Sequence, residues 1–308
     1  MNFKKIRKDI VYFLGWAALS GCSLIISVLP EAWLYSFAKA IASLGYTFAR
    51  KQRNIAFESL SFAFGDEKTQ AEKEQIARDC FMFMSKSAAE LLFLMDKPNI
   101  LEKQVSFTGE ENLRQALAKG SGVILVSAHF GNFPLMLGRL AIAGYKTAAI
   151  MRQMKDTRVE KMFLKKRQRY NIKTIYSQPR KACVDTTIRF LRDNGLVFIP
   201  IDQNFGTSGV FVDFFGKKAA TATGPVVLAS RTKAAIIPCF IIRQKDDTHN
   251  IVFEKQVDLE QGEGDQETIA INIQKLTGII ESYIRRYPAE WGWIHRRWKT
   301  KPKVEGGA

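Results

Sequence analysis

Cysteine and histidine, two residue types that often bind metals, are scarce in this sequence. It has four cysteines and three histidines among 308 residues. The cysteines (Cys22, Cys80, Cys183 and Cys239) are far apart and form no C-x-x-C pair, which excludes a zinc-finger pattern and gives no sign of a disulfide framework. We therefore expect a reducing compartment, and no cluster of His and Cys suggests a metal site.

Several familiar catalytic signatures are also missing. There is no G-x-S-x-G nucleophile elbow, which argues against an ordinary serine esterase. The segment Gly120-Ser121-Gly122 lacks the third glycine of a dinucleotide fingerprint, and no Walker A lysine follows a phosphate loop. The H-E-x-x-H pattern of zinc proteases is absent as well.

The chain has fewer acidic residues than basic residues, 30 against 46. The formal net charge is +16, which indicates an anionic partner such as nucleic acid, an acidic membrane face or a phosphorylated small molecule. The composition, 46% apolar and 25% charged, is that of a globular protein. The length predicts one large domain or two modest ones.

The amino terminus carries a long apolar segment. Residues 10–29 contain no charge, and about 30 Å of helix of this length matches the hydrocarbon core of a bilayer. A cleavable signal peptide fits less well because the apolar run is long and no small-x-small site closes it. A buried core helix is the other alternative. The pattern favours a membrane anchor, preceded by the basic residues Lys4, Lys5, Arg7 and Lys8.

A second apolar segment, residues 32–49, follows and is itself followed by Arg50, Lys51 and Arg53. Positive charge on both sides favours either a hairpin or an anchor with an interfacial helix, and leaves the rest of the chain on the cytoplasmic face of an anionic membrane. We accordingly expect a membrane-attached part at 1–50, an α/β domain at 51–300 and a disordered tail at 301–308.

The remainder alternates short apolar runs with longer amphipathic ones. A long helix is predicted over 67–96, and strands at Val105–Thr108, Val123–Ser127, Thr147–Met151, 174–176, 196–201 and 235–242 are separated by helical runs. This alternation predicts an α/β fold with a mostly parallel central sheet flanked by helices. A polar turn at 246–250 predicts one antiparallel strand at 251–254, and a last helix is predicted over 267–286.

Polar residues follow several predicted strands. His129 comes just after Val123–Ser127, Arg152 after Thr147–Met151, Ser177 after 174–176, and Asp202-Gln203 after 196–201. Ligands of parallel sheets bind at the carboxyl ends of the strands, so these side chains are expected to converge. Arg152 and Arg243, also at a strand end, are expected to bind anionic parts of a substrate, with an internal salt bridge as the equal alternative for each.

His129 is the candidate general base because it alone lies at a strand-to-helix junction. His249 is expected in the polar turn, and His295 lies in an aromatic and basic stretch suited to a membrane interface or core edge. At a helix start the dipole disfavours imidazolium, which would keep His129 neutral. The backbone amides around Gly131 and Asn132 are candidates for stabilising an oxyanion.

These residues belong to an ordered set of motifs. The landmarks are Arg53-Asn54, the segment Ser127-Ala128-His129-Phe130-Gly131-Asn132-Phe133, Asp202-Gln203, residues 209–216 with 220–224, Arg243, and residues 290–298. In this order the chain resembles the lipid A biosynthesis late acyltransferases (lauroyl and myristoyl transferases) of the lysophospholipid acyltransferase superfamily. The resemblance extends from the hydrophobic start to Trp298.

The resemblance implies an enzyme of the Gram-negative bacterial inner membrane. It would move a fatty acyl chain from acyl carrier protein or acyl-CoA to a hydroxyl of a lipid A precursor, without a metal or a bound cofactor. His129 would be catalytic. The motif positions Gly131, Asn132, Gln203, Phe215 and Gly216 would bind substrate.

One position departs from the family pattern. The motif has an acidic residue five positions after the histidine, where this chain has Pro134. We hypothesise that Asp202 replaces this acid and holds the imidazole. The alternative for Asp202 is to cap the following loop through the amides of Thr207 or Ser208.

Three other functions remain open at this point. The acceptor can be another lysophospholipid or glycolipid, or, since the motif acid is missing, the chain can be a non-catalytic lipid-binding homologue. Composition alone also permits a nucleic-acid binder, although we expect no nucleic acid as partner. The basic cluster that suits it also fits a solvated helix face or a carrier-protein docking surface; it comprises Lys161, Lys165, Lys166, Arg167 and Arg169.

Overall fold

The computed structural model describes residues 3–302, with side chains from residue 6 onward. Of the tail predicted to be disordered, residues 303–308 lie outside the described residues. The elements, in chain order, are α1 (Phe3–Val28), α2 (Glu31–Phe48), α3 (Arg50–Phe64), α4 (Gln70–Leu94), α5 (Pro98–Gln104), β1 (Val105–Thr108), α6 (Glu110–Leu117), β2 (Val123–Ser127), α7 (Phe133–Ile142), β3 (Thr147–Met151), α8 (Thr157–Arg169), β4 (Lys173–Tyr176), α9 (Arg180–Arg192), β5 (Leu196–Pro200), β6 (Val210–Phe214), β7 (Lys217–Thr221), α10 (Gly224–Thr232), β8 (Ala235–Arg243), β9 (His249–Phe253) and α11 (Asp265–Arg286).

The predicted α/β fold with a mostly parallel sheet is confirmed. Seven strands lie in the order β1-β9-β8-β2-β5-β3-β4. The five strands from β8 to β4 are parallel, whereas β9 pairs antiparallel with β8, as the polar turn predicted. The centre of the sheet is therefore β2, paired with β8 on one side and β5 on the other.

Helices cover both faces of the sheet. All five residues of β2 are buried, and they alternate between two cores: Ile124 and Val126 pack on one face, Val123 and Leu125 on the other. A strand that is buried on both faces is a continuous apolar run in the sequence, so its ends are easy to locate. The bounds of β2 are those that the sequence predicted.

The bounds of the long helix differ from the prediction of 67–96. Helix α4 begins after Thr69, whose side chain accepts the N–H of Glu72 while the Glu72 carboxylate accepts the N–H of Thr69. This capping box satisfies two backbone donors at the helix start. The charged residues before Thr69 therefore lie outside α4.

Three structured segments were not predicted, namely helices α3 and α5 and the hairpin of β6 with β7. The hairpin has a two-residue loop in which Phe215 (φ 53°) and Gly216 (φ 67°) both have left-handed backbone. Such loops match the twist of the strands but favour Asn or Gly at both positions. With phenylalanine at the first position, the sequence lacks the usual turn signal.

The amino-terminal helix is long and apolar enough to cross a membrane, as predicted. Residues 6–28 have a mean hydropathy of 1.8, and only 6% of the most apolar window is buried. Helix α2 packs on α4 through Leu34, Ala38 and Ala42. Its outer side exposes large apolar side chains, those of Trp33, Ile41, Leu44 and Phe48.

Candidate active site

The loop between β2 and α7 carries His129. The loop runs against β8: a Cβ on Gly131, whose φ is 61°, would lie 1.9 Å from the carbonyl oxygen of Ile241. Only glycine allows both this backbone conformation and this close approach. Helix α7 then begins at Phe133, with Pro134 in its first turn, where the missing N–H costs nothing.

Asp202 lies within hydrogen-bond distance of His129. Because β2 and β5 are neighbours, with Ser127 opposite Pro200, the residues that follow the two strands lie side by side. The distance from His129 Nδ1 to Asp202 Oδ1 is 2.8 Å, and the indole N–H of Trp291 donates to the other carboxylate oxygen at 2.8 Å. The predicted contact is therefore present, and we find no bond from Asp202 to the amides of Thr207 or Ser208.

Burial and charge act in opposite directions on this pair. Burial alone would lower the pKa of His129, but the charge and hydrogen bond of Asp202 outweigh it, so the pKa of His129 is raised. Burial would raise the pKa of Asp202, yet the contacts with His129 and Trp291 lower it. The downward effect expected from the helix dipole is therefore opposed by the neighbouring carboxylate, which raises the pKa of His129.

The Nε2 atom of His129 faces two further polar side chains. The amide nitrogen of Gln203 lies 3.2 Å from Nε2 of His129 and 3.4 Å from Nε2 of His295. The rings of His129 and His295 are 5.6 Å apart between centroids. Sequence reasoning predicted Gln203 here but assigned His295 to a membrane interface or core edge, so the proximity of His295 to His129 was missed.

His295 reaches the site because the segment after α11 folds back over the β2–α7 loop. Trp291 forms an isolated antiparallel bridge with Phe130, and the N–H of Gly131 donates to the carbonyl of Glu290 at 2.9 Å. Trp291 and Trp293 are both buried in the core. The only signal in the sequence was the dense aromatic content of residues 290–298, which indicated burial but not its location.

An apolar groove of about 240 Å³ opens beside His129. Helix α4 forms one wall, the start of α7 with Pro134 forms another, and Trp291 to His295 close it. The apolar side chains of α4 that line it are Phe83, Met84, Ala88 and Leu91. A groove of this composition suits a hydrocarbon chain rather than a charged ligand.

Two residues predicted to bind substrate are occupied in structural hydrogen bonds. The N–H of Gly131 is taken by the carbonyl of Glu290, so it does not face an oxyanion. The side-chain amide of Asn132 donates to the carbonyl of Ser87 at 3.1 Å and to the Glu90 carboxylate at 2.9 Å. Both residues line the groove, and both hold the loop against α4 and the carboxyl-terminal segment.

Arg243 forms an internal ion pair, the alternative considered from the sequence. Its guanidinium binds Glu90, with Nη2 2.8 Å from Oε2, and also contacts Asp247 at 3.1 Å. Its side chain is only 9% exposed. The expectation that Arg243 binds substrate anions is therefore replaced by a structural role, because Glu90 lies buried and fully enclosed beneath the groove.

His249 also differs from expectation. It is not in the exposed turn but in β9, 1% exposed, with Nε2 3.1 Å from Oε2 of Glu90. Burial opposes ionisation of Glu90, but the bonds from His249 and Arg243 lower its pKa. Glu90 is thus the centre of a buried polar cluster that sequence reasoning missed, since nothing local marks it within α4.

Phe215 and Gly216 lie in the β6–β7 hairpin loop and do not line the groove. Phe215 is buried against Phe64 and Trp293, and its N–H donates to Glu281. Gly216 is exposed at the turn. The expectation that these two residues bind substrate is not supported, because the motif serves the hairpin turn and its packing.

Arg152 and the basic cluster on α8 differ in how far the structure bears on their predicted roles. Arg152 is exposed at the end of β3, so its role as an anion-binding residue stays a prediction. In the basic cluster, Lys166 and Arg169 bind Asp96, and Arg167 binds Glu160, whereas Lys161 and Lys165 are exposed. Much of the cluster is therefore neutralised within the molecule.

Among the described residues, no group of three His, Cys, Asp or Glu side chains is arranged to hold a metal ion.

Comparison with known proteins gives one consistent result. The model of a family described as bacterial lipid A biosynthesis acyltransferase matches residues 1–300. The chain is 26% identical over 297 residues to a lipid A biosynthesis palmitoleoyltransferase of Escherichia coli, covering 96% of this chain and 94% of that protein. It is 24% identical over 297 residues to a lipid A biosynthesis lauroyltransferase of the same organism, covering 95% and 93%. A phosphatidylinositol mannoside acyltransferase of Mycolicibacterium smegmatis is 25% identical over 200 residues, covering 64% of each chain.

Proposed function

Because this chain belongs to the family of bacterial lipid A biosynthesis acyltransferases, we propose that it transfers a fatty acyl group from a thioester to a hydroxyl of a lipid A precursor. The donor is acyl carrier protein or acyl-CoA, and the product is an ester. Lipid A acylation is what the family description and the names of the most similar relatives support. The thioester, the hydroxyl acceptor and the roles of individual residues are our proposal.

The observation that carries this proposal is the pair formed by His129 and Asp202 at the edge of the apolar groove. With the Nδ1 hydrogen donated to Asp202, the lone pair of His129 lies on Nε2, and His129 lines the groove. This arrangement suits a base that accepts the proton of an attacking hydroxyl, and the carboxylate then stabilises the imidazolium. Asp202 thereby supplies the acid that Pro134 does not.

The groove supports a fatty acyl chain as the transferred group. Its α4 wall is apolar, and His129 is one of its lining residues, so a chain lying in it can place its carbonyl carbon beside the base. Because the hydroxyl oxygen and the thioester carbon are then held together, proximity contributes to the rate in addition to proton transfer.

We also propose attachment to the inner membrane with the site on the cytoplasmic side, and the amino-terminal helices support the attachment. Helix α1 is almost wholly unburied, and α2 exposes apolar side chains next to it. The guanidinium of Arg158 at the start of α8 lies over the rings of Phe13 and Trp16 in α1. Since α8 follows β3, this contact brings the anchor toward the sheet edge at which His129 lies.

A second candidate acceptor is a glycolipid other than a lipid A precursor. It is favoured by the similarity to phosphatidylinositol mannoside acyltransferases, whose names describe acyl transfer to a different glycolipid. A non-catalytic lipid-binding role is less well supported, because the base retains a carboxylate partner despite Pro134.

The test is acyl transfer by the purified full-length protein in detergent. Acyl carrier protein and coenzyme A thioesters are offered with a lipid A precursor or with a mannosylated phosphatidylinositol, and the products are weighed by mass spectrometry. We expect one added acyl group on the lipid A precursor, and a loss of about 10²–10⁴-fold in His129→Ala. Transfer to the mannolipid alone would favour the second candidate, and no transfer to either lipid would contradict an acyltransferase.

A further inference from the structure

One of the backbone donors expected to face the oxyanion of the proposed reaction, the N–H of Gly131, is occupied. The N–H of Gly131 is bonded to Glu290, and the Asn132 side-chain amide is bonded to Ser87 and Glu90. A tetrahedral intermediate at a thioester carbonyl needs a donor aimed at its oxygen, and in a water-poor site this is usually the largest catalytic contribution. A side-chain donor near Nε2 of His129 would serve this purpose.

The side-chain amide of Gln203 meets this requirement. Its nitrogen lies 3.2 Å from Nε2 of His129, so it borders the position that an attacking hydroxyl must occupy. An amide NH₂ has two hydrogens and no lone pair available as an acceptor. The backbone carbonyl of Gln203 is held separately by Arg297 at 3.2 Å, which anchors the residue without using its side chain.

A second imidazole, that of His295, borders the Gln203 amide. Nε2 of His295 lies 3.4 Å from the same amide nitrogen. When Nε2 carries the lone pair on both neutral rings, the amide donates one hydrogen to each imidazole, and rotating the amide by half a turn would bring its oxygen against both lone pairs. Burial, followed by the proximity of His129, lowers the pKa of His295, which favours the neutral ring.

We propose that the Gln203 side-chain amide is the oxyanion donor of the transfer and that His295 is a positioning residue that fixes the amide. This inference rests on the proposed acyl transfer. When the acceptor hydroxyl displaces the hydrogen bond between Gln203 and His129, the released N–H is free to donate to the thioester carbonyl oxygen.

The proposed transfer conserves atoms and electrons. The hydroxyl oxygen forms a bond to the thioester carbon while its proton passes to Nε2 of His129, and the carbonyl electron pair moves onto the oxygen that Gln203 binds. The electron pair on that oxygen then re-forms the carbonyl double bond and the carbon–sulfur bond breaks. The proton on His129 goes to the leaving sulfur. An ester and a free thiol result, and neither Gln203 nor His295 is changed.

The decisive variant is Gln203→Met, which keeps the length of the side chain but removes its donor without adding charge. We expect kcat to fall about 10²–10³-fold, as for other lost oxyanion donors, while KM changes less than threefold. The side chain is exposed, so the thermal midpoint should stay at the wild-type value. Gln168→Met, at an exposed glutamine on α8, is the matched control and should keep the wild-type kcat.

The role of His295 is tested by two substitutions, one with a side chain that accepts a hydrogen bond and one with an apolar side chain. His295→Gln retains an acceptor oxygen near the position of Nε2 and should keep most of kcat, whereas His295→Leu should lose about tenfold at unchanged KM. In the Gln203→Met background, His295→Leu should add almost nothing, because residues that act as a unit are not additive.

The outcomes separate this inference from the proposed function. If wild type and Gln203→Met transfer acyl groups with equal kcat, Gln203 is not the oxyanion donor, and the proposed function stands. Equal kcat in His295→Leu and wild type, or additive losses in the double variant, would overturn the role of His295. Absence of transfer by the wild-type protein overturns the proposed function and the inference together.

Discussion

The indole N–H of Trp291 donates to Oδ2 of Asp202 at 2.8 Å, in a site where the carboxylate is completely buried. Oδ1 of the same carboxylate binds His129. Trp291 also bridges to Phe130, the residue after His129. The carboxyl-terminal segment therefore fixes both partners of the pair, which explains how Asp202 orients the imidazole without a carboxylate at the position of Pro134.

The first prediction concerns Asp202→Asn. The amide keeps the size of the side chain but removes the charge that favours imidazolium, and it offers one acceptor oxygen where His129 and Trp291 now bind two, so kcat should fall by about 10²–10⁴-fold. Activity requires neutral His129, whose pKa is raised by Asp202, so activity is lost as the pH falls through that raised value. In Asp202→Asn the acid limb of the kcat/KM profile should move to lower pH.

Two controls accompany this prediction. Asp185→Asn removes an exposed carboxylate of α9 that pairs with Lys181 on its own helix, and it should leave both rate and profile unchanged. In the His129→Ala background, Asp202→Asn should cost little more, because the two residues act as one unit. Additive losses, or an acid limb that does not move, would contradict the pairing.

The extent to which this site is predictable follows from chain topology. Asp202 was predictable because it and His129 follow neighbouring parallel strands, and the ends of such strands meet at one edge. Glu90 was not, because it lies inside α4 and is defined by its contacts with Arg243, His249 and Asn132, all distant in sequence. The local pattern of apolar and polar residues predicts strands and helix faces, but it does not predict which buried side chains contact one another.

The same limit explains two other differences. Phe215 has left-handed backbone that its residue type does not favour, so the β6–β7 hairpin gave no turn signal and its motif was interpreted as a substrate site. His295 follows the last helix in a segment without strands, and its place beside His129 depends on how Trp291 and Trp293 enter the core. Both positions are set by tertiary packing rather than by local periodicity.

The second prediction tests the close approach of the catalytic loop to β8. Gly131→Ala adds a Cβ at a φ of 61° and 1.9 Å from the carbonyl oxygen of Ile241, so the loop must move. We expect the unfolding free energy to fall by at least about 1–3 kcal/mol from backbone strain. Because His129 is two residues away, kcat should fall as well.

Gly120→Ala is the matched control, since Gly120 has a φ of 75° but open space where a Cβ would lie. It shares the backbone strain without the collision. Urea unfolding of the two variants in detergent should therefore show a larger loss for Gly131→Ala, and only that variant should lose kcat. Equal losses would mean that the approach to Ile241 is unimportant.

The third prediction concerns the buried cluster beneath the groove. Arg243→Met leaves the Glu90 carboxylate enclosed with one cationic partner fewer, and breaking a buried ion pair costs about 3–5 kcal/mol. Unfolding in urea should shift to lower concentration, while KM for either substrate stays unchanged. The double variant Arg243→Met with Glu90→Gln should regain part of the stability, because no uncompensated charge remains. A raised KM at unchanged stability would instead return Arg243 to the role of an anion-binding residue.

The last prediction concerns attachment of the protein to the membrane. Leu14 is 60% exposed on α1, so it faces lipid if this helix inserts. A lysine at the centre of an inserted helix costs about 2.5–3.5 kcal/mol, which should move a measurable part of Leu14→Lys from the membrane pellet to the supernatant, whereas Leu14→Ala should stay in the pellet. Wild-type protein should resist extraction by high salt, since apolar burial is not screened, and should dissolve in detergent. Release of wild-type protein by salt alone would show that its net charge of +16, and not α1, holds it at the membrane.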